Sequence, residues 1–168
     1  MAQIGNEDNL SDPASYTSYR FMAFYDAIHA AYPDMKLISS TGDLTAVSGH
    51  SGTDYHEYAR PNIYATQFGL WDNANRSHPI LLGEYATIQG NKADPSTPVD
   101  WSGAEPRLQY PIWVGAVGEA IYTLGAERNG DIVIGASYAP GFQNLNDFQW
   151  SVSLPDISIT VHMIYTQR

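Results

Sequence analysis

Ile4-Gly5-Asn6-Glu7-Asp8-Asn9-Leu10 is the stretch on which the reading of this chain turns. Ala2 to Ile4 reads as the tail of a strand that runs into an Asn-Glu pair. Asp12-Pro13 then breaks the chain, with Asp12 or Ser11 placed to cap the helix that follows. Pro79-Ile80-Leu81-Leu82-Gly83-Glu84-Tyr85 repeats the theme, a short apolar run closed by Gly and Glu. Each stretch predicts a carboxylate at the C-terminal lip of a strand. In barrel-type α/β proteins that lip is where chemistry is placed.

Outward from these stretches, the chain alternates. Tyr16, Phe21, Phe24, Tyr25, Ile28 and Tyr32 recur at helical spacing between Ser15 and Tyr32, with Ser18, Arg20, Asp26 and His29 between them. Pro33 stops that helix. Lys36 to Ser40 is a short β run, Thr41 to Gly52 is rich in turn residues, and Thr53-Asp54-Tyr55-His56 reads as the next strand. A second helical segment is expected from Asn62 to Ala74 and a buried strand from Ile80 to Gly83. Thr87 to Arg107, rich in Pro, Gly, Asp and Ser, is a long loop of a kind often functional. Tyr110 to Leu124 is a helix in which Gly115, Ala116 and Ala120 suggest close packing. Asp131 to Ala136 is a clear strand, and Ser158 to Tyr165 alternates like another.

Strands alternating with helices imply parallel strands joined by right-handed crossovers. Five such strands make either an open doubly wound sheet or part of a barrel, and periodicity alone does not choose. The chain has 168 residues, short for a closed eight-stranded α/β barrel of roughly 250.

Charge narrows the function classes. Eighteen acidic against eight basic side chains leave a formal net charge of −10. Such a surface repels phosphate backbones, so no nucleic-acid partner is expected, and a neutral glycan suits it better. No run of about 18 apolar residues predicts a membrane span. Twelve Tyr and four Trp fit sugar stacking and fit an ordinary core equally well. The absence of Cys excludes disulfides and thiolate catalysis. No signal-peptide pattern is visible at the N-terminus, so secreted and cytoplasmic locations both stay open, as does the oligomeric state.

A single strand-end acid is usually solvated or caps a helix; two of them suggest paired work. In retaining glycoside hydrolysis one carboxylate attacks the sugar carbon while the other protonates the leaving oxygen, the pair lying about 5 Å apart. Neighbouring strands are already about 4.8 Å apart, so carboxylates on non-adjacent strands meet only if the sheet curves. That favours a barrel. In Asp54-Tyr55-His56-Glu57-Tyr58, His56 and Tyr58 can donate to a sugar hydroxyl or to a carboxylate, or simply pack in the core. His29, His50, His56, His78 and His162 make no metal-binding spacing, so neither metal nor cofactor is expected. No Gly-x-Ser-x-Gly and no phosphate-binding Gly loop is present. Glu127-Arg128-Asn129 reads as a helix end.

Ile4-Gly5-Asn6-Glu7-Asp8, Phe24-Tyr25-Asp26-Ala27-Ile28, Asp54-Tyr55-His56, Gly83-Glu84-Tyr85, Glu127-Arg128-Asn129 and Ala136-Ser137-Tyr138-Ala139-Pro140 lie in the order and spacing of a known family. In them the chain, from about Gln3 to Trp150, resembles the α-L-arabinofuranosidases of glycoside hydrolase family 51. The resemblance implies strands four to eight of a (β/α)8 barrel over residues 1–150, with 151–168 a divergent tail. It implies a retaining mechanism in which Glu7 is the acid/base and Glu84 the nucleophile. Asn6 would bond the sugar 2-hydroxyl, and His56 and Tyr58 would line the site. The substrate expected is a terminal arabinofuranosyl residue on arabinoxylan, arabinan or an arabino-oligosaccharide. The family's first three strands and its β-sandwich have no counterpart in this sequence, so exposed strand edges and weak stability are expected of the chain alone. Two other readings stand beside this one: another hydrolase of the same clan, such as an endo-β-glycanase, and a non-catalytic or vestigial carbohydrate-binding fragment.

Overall fold

The computed structural model describes residues 1–41, 51–108, 111–140, 142–143 and 160–161. Most of the Thr41 to Gly52 turn region and most of the 151–168 tail therefore lie outside the described residues. Strands β1 (Ala2–Ile4), β2 (Leu37–Ser39), β3 (Gly52–Ala59), β4 (Ile80–Thr87) and β5 (Val133–Tyr138) form one five-stranded sheet in sequence order. β1 runs parallel to β2 with Ala2 opposite Leu37, and β2 parallel to β3 with Ile38 opposite Gly52. The parallel α/β arrangement expected from the alternation is present. Two further short strands, β6 (Phe142–Gln143) and β7 (Thr160–Val161), pair antiparallel. Among the described residues no helix is long and apolar enough to cross a membrane.

The chain divides into two compact units. The first comprises Met1–Tyr55, Ala74–Gly83 and Gly130–Gly135. Its core is Ile4, Tyr16, Phe21 and Leu37, with Met22, Tyr25, Ile28 and Met35 packed against it. Phe21, Tyr25 and Ile28 stand at i, i+4 and i+7 of one helix, α3 (Phe21–Ala31), which puts them on one face. The helical reading of Ser15 to Tyr32 is right in kind and differs in detail. α1 (Asp8–Ser11) and α2 (Pro13–Ser15) come first, and Asp12 does cap α2, its carboxylate accepting the Ser15 N–H at 3.2 Å. A π-helical turn, Tyr16–Arg20, then interrupts the α-helix. One end of that turn is tied to the last residue of β1 and the other to the segment after it. The Tyr16 hydroxyl donates to the Ile4 carbonyl at 2.6 Å, and Arg20 reaches the Asp8 carboxylate at 2.7 Å. β2 is buried along its whole length.

The second unit comprises His56–Asn73, Glu84–Asn129 and Ala136–Arg168. Here α4 (Pro61–Thr66) packs against α5 (Trp113–Arg128). The contact is close enough that a Cβ on Gly118 would lie 2.6 Å from the Pro61 carbonyl oxygen, so this helix position needs glycine. Tyr122 is fully buried between Tyr64, Trp71 and Tyr85, with ring centroids at 4.6, 5.1 and 6.0 Å. The Tyr64 hydroxyl lies 2.5 Å from the Glu57 carbonyl of β3 and 3.1 Å from the Ala86 carbonyl of β4, which ties α4 to both strands. Burial pushes the Tyr64 phenol far above its ordinary range, so it stays a neutral donor. α4 is shorter than the expected Asn62 to Ala74; past Thr66 the chain winds through successive tight turns, Leu70 N–H to Gln67 O and Asp72 N–H to Gly69 O. α5 continues beyond Leu124 to Arg128, and Asn129 closes it by donating to the Gly125 carbonyl at 2.9 Å.

Strands β3 and β4 are longer than the sequence suggests, and one expectation is corrected by this. Glu84 does not end its strand; Tyr85, Ala86 and Thr87 carry β4 onward. Gly83 looks like a strand breaker but is there for space. A Cβ at that position would lie 2.0 Å from the Asp54 carboxylate oxygen. Asp54 is itself held by the Gln3 amide at 2.7 Å.

Candidate active site

Alternation along a strand puts every second side chain on one face. On β3 that places His56 with Tyr58, and on β4 Glu84 with Ala86. The structure brings three of the predicted residues together on this face. The Tyr58 hydroxyl donates to Glu84 Oε2, and His56 Nδ1 lies 3.5 Å from the same oxygen. Glu84 is partly exposed, its side chain 29% accessible, and His56 is nearly covered at 12%. Tyr58 packs on Ala86, Ile88 and Val99, so its ring is supported from below by core. The opposite face of β4 serves packing. Tyr85 meets Tyr122 of α5, and the Thr87 N–H donates to Glu119 of α5 at 2.6 Å. Burial pushes the Glu119 carboxyl up, opposed by its bonds to Thr87.

The long loop after β4 reaches this face through a residue the sequence did not single out. Trp101 is 55% exposed, yet its ring stands edge-on to Tyr58 at 5.7 Å, and the Arg107 guanidinium lies over it at 4.7 Å. An exposed indole clamped in this way, two contacts from a carboxylate, is suited to stack on a sugar ring.

Arg60 holds the loop in place. Its side chain is 1% exposed, and it forks onto both Glu105 carboxylate oxygens at 2.9 Å each. It also donates to Gln89 Oε1 and to the Pro98 carbonyl, both at 3.0 Å, and to the Gly90 carbonyl at 2.5 Å. Gln89 bonds the Asp100 and Glu105 carbonyls in turn, at 3.1 and 3.0 Å. Hydrogen bonds from Arg60, then from Lys92, hold the Glu105 carboxyl down to about 2 from its ordinary 4.5. Asp100, bonded by Ser102, is lowered as well.

A carboxylate whose pKa is depressed by folding contributes stability above its unfolded pKa and loses it as pH falls through the folded one. The Gln89 to Leu108 amides should therefore keep their hydrogen-exchange protection at pH 5 and lose it progressively from about pH 4.5 towards about pH 2. Protection unchanged across that window would show that the Glu105 pair does not hold the loop.

Glu7 and Asn6 belong to the first unit, on the turn that follows β1. Asn6 is exposed. Glu7 sits with φ 47° and ψ 37° at the start of α1, a left-handed conformation, which costs a residue with a Cβ roughly 1–2 kcal/mol. Gly5 before it has φ 87°. Glycine adopts that φ freely, so the strain of the turn sits on Glu7.

A family profile described as the α-L-arabinofuranosidase 1 domain matches residues 1–76. The chain is 40% identical over 158 residues to a probable α-L-arabinofuranosidase A of Aspergillus niger, covering 92% of this chain and 22% of that protein. It is 37% identical over 168 residues to the probable α-L-arabinofuranosidase A of Aspergillus terreus, covering 98% and 24%. Among solved structures, an arabinose-bound family 51 α-L-arabinofuranosidase superposes with a TM-score of 0.75 at 31% identity, over 95% of this chain and 25% of that one. The chain thus spans about a quarter of the length of these relatives.

Proposed function

The chain is a part-length relative of the family 51 α-L-arabinofuranosidases, and from that premise we propose that it carries the two catalytic carboxylates of a retaining, exo-acting α-L-arabinofuranosidase. The substrates are terminal arabinofuranosyl residues of arabinoxylan, arabinan or arabino-oligosaccharides. On this reading residues 1–150 are the C-terminal part of a (β/α)8 barrel, strands four to eight.

The observation that carries the proposal is the convergence of Tyr58 and His56 on Glu84 Oε2. A nucleophilic carboxylate must face one carbon in one orientation, and a donor at one of its oxygens fixes that orientation. Glu84 attacks the anomeric carbon as the bond to the leaving oxygen breaks, and Glu7 supplies the proton that oxygen needs. Water then attacks the glycosyl-Glu84 ester, Glu7 takes a proton from it, and the ester oxygen returns to Glu84 as carboxylate. Asn6 holds the sugar 2-hydroxyl.

The leaving group tests the Glu7 assignment. In the polypeptide as its gene encodes it, Glu7→Ala should cut turnover of arabino-oligosaccharides by about 10²–10⁴-fold, the range of general acid catalysis. Glycosylation by a dinitrophenyl arabinofuranoside, whose leaving oxygen needs no proton, should fall far less. Equal losses on both substrates would assign Glu7 to binding. A wild-type protein that binds arabino-oligosaccharides and releases no arabinose would move the whole reading to a carbohydrate-binding role.

A further inference from the structure

Asp8 is a buried carboxylate that the reaction as written does not use. Its side chain is 7% exposed and doubly held: Ser40 Oγ donates to Oδ2 at 2.7 Å, and Arg20 Nη1 lies 2.7 Å from Oδ1. Arg20 is itself fixed, donating from Nε to Ser15 Oγ at 2.7 Å and from Nη2 to the Asp12 carbonyl at 3.0 Å. Ser40 is fixed too, its N–H donating at 2.9 Å to the Tyr16 hydroxyl, which donates onward to Ile4 O at 2.6 Å. The Asp8 carboxylate folds back over the turn, so that a Cβ on Gly5 would lie 1.9 Å from its Oδ2. Between the two anchored points, Ile4 and Asp8, there are only Gly5, Asn6 and Glu7, and Glu7 stands at positive φ without being glycine. Such a backbone persists only where its surroundings over-determine it.

We propose that Asp8, with Arg20 and Ser40, is the positioning device that holds Glu7 in its left-handed conformation and so aims the acid/base carboxylate. This rests on the reading of Glu7 given above. Burial alone pushes the Asp8 carboxyl up, but the bonds from Ser40 and Arg20 outweigh it and hold it below its ordinary range. The group is therefore an anion that grips its partners at working pH. It touches neither substrate nor reacting atoms and acts through its neighbour.

The test compares two substrates in three variants: Asp8→Asn, Arg20→Gln and Arg20→Lys. Asp8→Asn keeps the shape and loses the charge. A misaimed acid should lower turnover of arabino-oligosaccharides by on the order of 10–100-fold. For the dinitrophenyl arabinofuranoside, kcat/KM, which reports glycosylation alone, should lose no more than about threefold, because protonation of its leaving oxygen contributes little and the water attack that needs Glu7 as base comes later. Arg20→Gln should show the same split in milder form, and Arg20→Lys should restore part of it by returning the cation. A damaged fold would depress both substrates together, and that outcome, or wild-type behaviour in both Asp8→Asn and Arg20→Gln, overturns the proposal. If Asp8→Asn fails to fold, Arg20→Gln decides, since Arg20 is a third exposed. Failure of the Glu7→Ala split would remove the premise instead, and the two failures are separately visible.

Discussion

Glu84→Ala is expected to reduce arabinofuranoside turnover by about 10⁴-fold or more, roughly 5 kcal/mol of transition-state stabilisation. A double displacement that has lost its nucleophile has no first step. The change also removes the carboxylate at which Tyr58 and His56 converge, so it leaves two polar groups facing an emptied position. That space suggests the decisive control. Azide supplied in solution can enter and attack the anomeric carbon directly. It should restore turnover of an activated aryl arabinofuranoside and yield an arabinosyl azide of inverted configuration, since only one displacement takes place. Substrate binding should change much less than turnover. A Glu84→Ala protein with ordinary activity, or a rescued product of retained configuration, would remove Glu84 from the mechanism.

The second large effect is on stability. Arg60→Met should destabilise the second unit by about 3–5 kcal/mol, the range seen when one member of a buried ion pair is removed. That is a large part of the roughly 5–15 kcal/mol by which a domain is stable. The reason is the number of groups left behind: the Gly90 and Pro98 carbonyls, the Gln89 amide oxygen and the Glu105 carboxylate all lose a donor together. Lysine should not rescue, because a point charge cannot reproduce the fork onto both Glu105 oxygens. The loss reads out as a lower denaturation midpoint. It also reads out as greater access of a quencher to Trp101, whose place over Tyr58 depends on this loop. An Arg60→Met protein within about 0.5 kcal/mol of the parent, the scatter of ordinary surface substitutions, would show that the loop is held by other means.

These expectations differ in how far the sequence alone led to them. The placement of Glu7 just past the end of a strand was legible because a short apolar run closed by Gly5 and Asn6 is a local pattern. The helix around Phe21, Tyr25 and Ile28 was legible for the same reason, as were the Asp12 cap and the helix end at Asn129. His56 and Tyr58 were legible as alternating residues of one strand. That both would converge on Glu84 was not, because their partner lies 26 or more residues away on another strand. Glu84 was placed at a strand end because Gly83 looks like a breaker. The reason for that glycine, Asp54 crossing at contact distance, exists only once β3 and β4 lie side by side.

The Arg60 network is the plainest case of what sequence pattern does not carry. Arg60 and Glu105 are 45 residues apart; around Glu105 composition predicts only a loop, and Trp101 reads there as one aromatic among many. Side-chain periodicity reports which face of an element avoids water, because that preference acts residue by residue along the chain. It carries no term for which distant polar groups will satisfy one another once water is excluded. By itself the sequence determined most of the element types, and it supplied the family resemblance and the two carboxylates on which the proposed reaction rests. The tertiary structure alone decided how Glu84 is oriented, how the loop bearing Trp101 is pinned, and how Asp8 braces the turn that carries Glu7. Each of those is a long-range hydrogen-bond arrangement, stable only after the surrounding chain has desolvated it.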